Sequence, residues 1–224
     1  MKNDWIWLSH ITSNETPAYG GGSAFETKPV KQICCGDSCN TVEIMMSNHI
    51  GSHVDAPRHF IPDAKTVSEY AAADWLFEKP VLIDLLPEPA QIVEPADVDL
   101  VFPDNITDAD LVLLRTGNDE NRNSAEFYKT QPGFSPDLCG YFADKFKSFS
   151  AIGLNAISIS CIMHRDVGRI AHKVFLGNDI RIFEDLALSN IPPNALLNKV
   201  IALPFRYQDA DGAPVTMLGH ISYP

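Results

Sequence analysis

One stretch constrains this chain more than any other. From His49 to His59 the sequence His-Ile-Gly-Ser-His-Val-Asp-Ala-Pro-Arg-His sets three histidines and one aspartate within eleven residues. Apolar residues fall on even positions (Val42, Ile44, Met46, Ile50, Val54), whereas His49, Gly51, His53, Asp55, Pro57 and His59 are all odd. A period of two predicts a strand with one face in the core and the polar set on the other. Four extended residues would separate His49 from His53 by about 13 Å. That is near the limit for two imidazoles that must each lie about 2.1 Å from one ion, so Gly51 is placed to supply a bulge or bend. A helix would also bring an i, i+4 histidine pair onto one face, but Gly51, β-branched Val54 and Pro57 oppose it. A lone histidine is more often a core or surface residue. Four groups of metal-ligand type sharing one parity around a glycine point instead to a metal site where a strand breaks into a loop.

The rest of the chain can support such a site. Its 224 residues, 45% of them hydrophobic, suffice for one core and one domain (residues 1–224). With 29 acidic against 17 basic residues the formal charge is −12, which makes nucleic acid and anionic membrane poor partners. Neither a signal-peptide pattern nor an apolar run of about 20 residues is present, and the expected address is cytoplasmic. The five cysteines, with Cys34, Cys35 and Cys39 crowded together, match no common zinc knuckle and are read as free thiols.

Strands are expected at 5–9, 25–32 and 41–47, the last leading into the histidine motif. Gly20-Gly21-Gly22 lacks the Lys-Ser/Thr of a phosphate loop and is read as a turn. Thr66-Val67-Ser68-Glu69 has the pattern of a capping box opening a helix to Trp75. The short apolar runs Val81–Leu85, Leu111–Arg115 and Ala151–Leu154 read as buried strands, and residues 118–130 as a loop. A helix follows Ser135-Pro136-Asp137, a second short one spans Ile170–Leu176 closed by Gly177, and a strand runs from Ile180 to Glu184. Residues 199–205 and 213–221 form a hairpin around Asp211-Gly212. Strands mixed with few helices and no repeat give an α/β or α+β fold.

An aspartate beside two histidines can bridge two ions, which requires ligands from elsewhere. Glu184 shares the parity of Ile180 and Ile182 and should point inward, where an unpaired carboxylate is costly. His172 is its candidate partner, and His164 competes with it.

The motif His49-Ile-Gly-Ser-His-Val-Asp-Ala-Pro-Arg-His-Phe60 closely resembles the HxGTHxDxPxH signature of the metal-dependent cyclase family, which includes bacterial kynurenine formamidases and isatin hydrolases. The resemblance continues through Leu114–Gly117, Pro132–Ser135, the segments around His172 and Glu184, and Asp211–Val215. It implies a swivelling β/β/α fold, a homodimer or tetramer, and one or two ions of Zn²⁺ or Mn²⁺. By that resemblance one ion would be held by His49, His53 and Asp55, a second by Asp55, His172 and Glu184, with His59 as proton donor and acceptor. The chain departs from the family pattern at Ser52 (usually threonine), Ala171 (often histidine), Asn155 (often aspartate) and Tyr19, which aligns with an aromatic that is tryptophan in kynurenine formamidases.

The chemistry implied is hydrolysis of an amide-type C–N bond in a small molecule. A bound divalent ion acidifies water and polarises a carbonyl, and an imidazole is suited to move the proton. His59 read as a further metal ligand is the alternative role. Trp5, Trp7, Tyr19, Phe25 and Phe60 offer aromatic surface, and loop-borne Tyr19 is the expected substrate contact. Two other classes compete: ring opening or closure of a lactam, imide or lactone, and a metal-binding module without turnover.

Overall fold

Residues 3–21, 25–117, 122, 124 and 127–223 are described by the computed structural model. In chain order the strands are β1 (Asn3–Trp7), β2 (Phe25–Lys31), β3 (Thr41–Met46), β4 (His53–Asp55), β5 (Leu76–Phe77), β6 (Pro80–Asp84) and β7 (Ile92–Val93). They continue as β8 (Leu111–Arg115), β9 (Gly133–Phe134), β10 (Ala151–Leu154), β11 (Arg181–Glu184), β12 (Leu196–Pro204) and β13 (Gly212–Ser222). The α-helices are α1 (Pro95–Asp99), α2 (Phe127–Thr130), α3 (Asp137–Lys145) and α4 (Arg165–Gly177). None of the helices among the described residues is long and apolar enough to cross a membrane.

Continuous apolar runs demand cover on both faces, and the three runs expected as buried strands receive it. β6, β8, β10 and β11 are parallel neighbours at one side of a nine-stranded sheet of order β5-β12-β13-β4-β11-β10-β8-β6, with β1 along β13. Val112, Leu114, Ile152, Leu154 and Ile182 pack with Leu138, Phe142, Ala171 and Phe175 of α3 and α4. Leu111, Leu113, Ala151 and Phe183 face the other way, against Val54, Phe77, Val200, Ala213 and Met217. The remaining strands of this sheet pair antiparallel, β4 lying between β11 and β13, and β7 pairs parallel with β9 in a separate two-stranded sheet. This mixed sheet with few helices is the expected α+β class.

Four expectations need correction. β3 does not run on into the histidine motif with one face buried. It forms a separate two-stranded hairpin with β2, and Val42, Ile44 and Met45 are 55, 56 and 67% exposed. Among the described residues no third strand pairs with that hairpin, so its period of two has no core to face. The chain turns after Met46, and Gly51, at φ +63°, supplies the expected bend before β4. Thr66 opens two 3-10 turns (Val67–Glu69 and Ala72–Trp75) instead of one helix, although Glu69 Oε2 does accept from the Thr66 N–H at 2.7 Å. Helix α4 begins at Arg165, earlier than expected, and Gly177 lies within it. The left-handed residue beyond α4 is Asp179 (φ +59°), whose carboxylate accepts from Lys65 at 3.2 Å and from the Tyr70 hydroxyl. The segment read as loop contains α2, while residues 118–121, 123, 125 and 126 lie outside the described residues. Of the three glycines read as a turn, Gly20 and Gly21 have φ of +79° and +84°, and Gly22 is not described.

A Cβ on Gly51 would pay the left-handed penalty and approach Thr12 Oγ1 at 3.1 Å. Gly51→Ala is therefore expected to cost about 1–2 kcal/mol of stability, read from the shift of the urea-unfolding midpoint at constant slope.

Candidate metal centre

Strand register assembles the first part of the site. β4 pairs with β11 so that His53 lies opposite Glu184 and Asp55 opposite Ile182, placing both polar side chains of β4 on the face that carries Glu184. Val54 and Phe183 point to the other face and into the core. Helix α4 lies over the polar face and brings His172 down onto it. All four groups are buried: Asp55 is 0% and His53, Glu184 and His172 are 3–4% exposed.

The geometry of this quartet is not that of ordinary ion pairs. His53 Nε2 lies 3.5 Å from Asp55 Oδ1 and 3.3 Å from Glu184 Oε2, and His172 Nε2 lies 3.5 Å from Asp55 Oδ2 and 3.5 Å from Glu184 Oε1. Charge-assisted N–H···O bonds are about 2.7–2.9 Å. Donors held about 2.1 Å from a common ion sit about 3.4 Å apart; His53 has one oxygen of each carboxylate at that spacing, and His172 has the other oxygen of each. The ring tautomers agree. His53 Nδ1 donates to the Gly51 carbonyl at 2.8 Å and His172 Nδ1 to the Gly168 carbonyl at 2.8 Å. A carbonyl only accepts, so each neutral ring turns an Nε2 lone pair toward the carboxylates. Asp55 Oδ2 is buried with no hydrogen-bond partner, a cost that a cation between the four groups removes. Glu184 Oε1 is held by the Ile159 N–H at 2.6 Å and the Ser158 hydroxyl at 3.2 Å. The donor set therefore fits a divalent cation.

The electrostatics carry the same message. Burial would lower His53 and His172, but the facing Glu184 and Asp55 carboxylates outweigh it and raise them to about 9 and about 10. Burial, and for Glu184 its neighbour Asp55, would raise the two carboxyls. The histidines instead pull Glu184 down to about 2 and Asp55 well below the usual carboxylate range, His172 acting on both and His49 on Asp55.

A second group adjoins the first through Asp55. His49 Nδ1 is 2.8 Å from Asp55 Oδ1, and its Nε2 is 3.0 Å from Asp211 Oδ2, which also meets His59 Nδ1 at 3.0 Å. The His49 and His59 rings stack with centroids 3.9 Å apart. Asn48 donates to the other Asp211 oxygen at 2.7 Å. Gly212 opposite has no room for a side chain, since a Cβ there would lie 2.3 Å from His49 Cε1. Ligand atoms thus gather as His53, Asp55 and Glu184, and as His49, Asp55 and His59. His53 gathers with Glu184, and His59 with His49, about the shared Asp55.

These residues open into a cavity of about 510 Å³ whose walls include Tyr19, Phe60, Ile157, Arg165 and Arg169. The expected contact Tyr19 lines it, as does Phe60, which stacks on His172 with ring centroids 4.4 Å apart. Trp5 and Trp7 are 48 and 60% exposed on β1, and neither they, Phe25 nor His164 line the cavity. His164 is exposed on a turn before α4. Sequence reasoning read Asp211 only as a turn residue and missed Ser158, Arg165 and Arg169. An aspartate in a hairpin is ordinary turn chemistry, so nothing in its neighbourhood marked Asp211 as facing His59. Two departures from the family pattern prove structural. Ser52 bonds the Asp185 carbonyl and the His10 N–H, and Asn155 accepts from Thr116 N and Oγ1, both at 2.9 Å. Cys34, Cys35 and Cys39 are exposed and form no disulfide.

Comparison with known proteins agrees with this architecture. The kynurenine formamidase of Geobacillus thermodenitrificans is 27% identical over 220 residues, covering 96% of each chain, and that of Bordetella avium is 28% identical over 223 residues with the same coverage. An isatin hydrolase bound to the product analogue thioisatinate superposes with a TM-score of 0.82 at 17% identity, covering 99% of this chain and 93% of that one. A predicted metal-dependent hydrolase from Bacillus stearothermophilus gives 0.75 at 20% identity, over 98% and 99%. At these identities the solved structures share the fold. The model of the Cyclase family matches residues 6–160, and over that span, well above half of its length, this chain belongs to the Cyclase family.

Proposed function

We propose that this chain, acting as one domain, is a metal-dependent hydrolase that breaks an amide C–N bond in a small molecule such as an aryl formamide. What carries the reading is the buried quartet His53, His172, Asp55 and Glu184, whose nitrogen–oxygen distances of 3.3–3.5 Å suit ligands around a shared cation. Drawn from these four and His49, the ligands would hold one or two ions of Zn²⁺ or Mn²⁺, with His53, Asp55 and Glu184 gathering about one of them. Bound there, the ion supplies Lewis acidity toward water and the substrate carbonyl. Relatives named kynurenine formamidase over nearly the whole chain support the choice of a formamide.

His59 moves the proton. With Nδ1 held 3.0 Å from Asp211, its Nε2 is free to take a proton from the attacking water and hand it to the leaving nitrogen. One C–O bond forms, one C–N bond breaks, and the products are a carboxylic acid and an amine. Asp211 positions the ring as an orienting carboxylate, and the buried floor and Phe60 wall limit water to the reacting side. Tyr19 contacts the substrate at the mouth.

The chain is also read as a cytoplasmic homo-oligomer. The β2–β3 hairpin exposes Val30, Val42, Ile44 and Met45, and a two-stranded hairpin with uncovered apolar residues is marginal by itself. Sedimentation of the wild type should give a dimer or tetramer and of Ile44→Asp a smaller species. A wild-type monomer would refute the reading.

Protein purified without chelator should contain zinc or manganese by elemental analysis and hydrolyse N-formyl aryl amines. Hydrolysis of cyclic amides alone would move the reading to ring opening, and neither activity would favour a module without turnover. His59→Ala should lower kcat by about 10²- to 10⁴-fold and Asp211→Asn by about 10- to 100-fold, with metal content retained by His59→Ala. Loss of metal in that variant would make His59 a ligand.

Protonation supplies a further check. With His53 near 9 and His172 near 10, against an ordinary value near 6.5, protein stripped of metal carries both protons at neutral pH. The stability they contribute is full below about 6.5 and is lost as pH rises through 9 and 10. The Tm of chelator-treated protein should therefore fall between pH 7 and 10. Zinc added at pH 7.5 should release about two protons, read by calorimetry in buffers of different ionisation enthalpy. No buffer dependence would contradict the ligand assignment.

A further inference from the structure

His172 is the end of a stripe. Arg165, Gly168, Arg169 and His172 stand at i, i+3, i+4 and i+7 on α4 and so share one face. Gly168 packs directly on Ser160, where a Cβ would lie 1.9 Å from its hydroxyl, so this face is pressed against the loop beneath the cavity. Arg165 and Arg169 both line the cavity whose floor is the metal quartet. Seven residues at about 1.5 Å each place the Arg165 backbone on the order of 10 Å from His172 along the helix. A bound molecule can therefore touch the floor with one end and the arginines with the other.

The charge balance makes this pair unusual. In a chain of net charge −12 the cavity floor already carries Glu184, with Asp55 buried against His53 and His172. A neutral aryl amide would need no guanidinium in its pocket, and an anionic one would be repelled without them. The partners the arginines already have are weak ones. Arg169 meets Asp166 at 2.9 Å with both side chains well exposed, a surface pair that a ligand can displace. Arg165 lies beside the Tyr19 hydroxyl, and its charge offsets part of the rise that burial imposes on that phenol. Tyr19 thereby steadies the Arg165 side chain at the mouth.

We infer that Arg165 and Arg169 form an anion-binding subsite that selects substrates carrying a carboxylate at the end remote from the scissile amide. The guanidinium fork matches a carboxylate in two parallel hydrogen bonds, and the cavity of about 510 Å³ accommodates one substituted ring between that subsite and the floor. The inference rests on the hydrolase reading for its amide end but not for its anion end, and the two separate experimentally.

The test uses 4-formamidobenzoate and neutral formanilide as substrates, and 4-acetamidobenzoate and acetanilide as binding probes followed by calorimetry. The metal-loaded wild type should favour 4-formamidobenzoate in kcat/KM, and Arg165→Gln/Arg169→Gln should shrink that preference by about 10- to 100-fold, mainly through KM. The same double variant should lose 4-acetamidobenzoate binding while its metal content and Tm hold. Equal kcat/KM for both substrates in the wild type, or undiminished 4-acetamidobenzoate binding in the variant, would overturn the subsite. If the wild type hydrolyses neither substrate yet binds 4-acetamidobenzoate through the arginines, the hydrolase reading fails and the anion subsite stands.

Discussion

Two carboxylates without water dominate this structure. Asp55 and Glu184 are almost wholly removed from solvent on one face of the central sheet, and two charges so close together in a protein interior oppose folding unless something compensates them. The histidines at 3.3–3.5 Å are too far for strong hydrogen bonds and well placed for donors around a common cation. The fold around the site follows from keeping this arrangement in place. The carbonyls of Gly51 and Gly168 fix the two ring tautomers, and the Ile159 N–H and Ser158 hydroxyl hold Glu184.

Sheet topology makes the arrangement possible. β4 is three residues long, yet it lies between β11 and β13. Its contact with β11 matches His53 to Glu184, and its contact with β13 brings Gly212 beside Asp55 and so Asp211 beside His49 and His59. A slip of one residue would turn His53 and Asp55 into the hydrophobic layer. Val54 and Phe183, buried on the opposite face, resist that slip. The apolar core thus acts as the alignment device for the polar site.

The cavity above the floor is a separate layer of design. Its aromatic wall comes from Phe60, one residue past His59, and its basic wall from α4, the helix that also delivers His172. One helix therefore sets both the floor and the rim, so their spacing is fixed by helical rise and not by loop conformation. A site on such a rigid element discriminates by distance, which a loop-built rim does less well.

Local pattern and resemblance made much of this legible in advance. The apolar runs at β6, β8 and β10 announced doubly covered strands, the odd-numbered set from His49 to His59 announced a polar cluster bent at Gly51, and the parity of Glu184 with Ile182 announced an inward carboxylate. These properties reside in the order of residues, because side-chain direction in a strand alternates whatever the neighbours are. Periodicity alone misled at Val42 to Met46, where alternation was present but no layer among the described residues buries it. Which strand lies beside which is a long-range choice. Only tertiary structure could decide that His53 and His172 meet the same two carboxylates, that Asp211 from a hairpin turn meets His59, and that Arg165 and Arg169 face the same cavity. Residues brought together at this site from 163 positions apart, as Asn48 and Asp211 are, leave no trace in local spacing, since their meeting depends on which arrangement of the whole sheet best buries its apolar area.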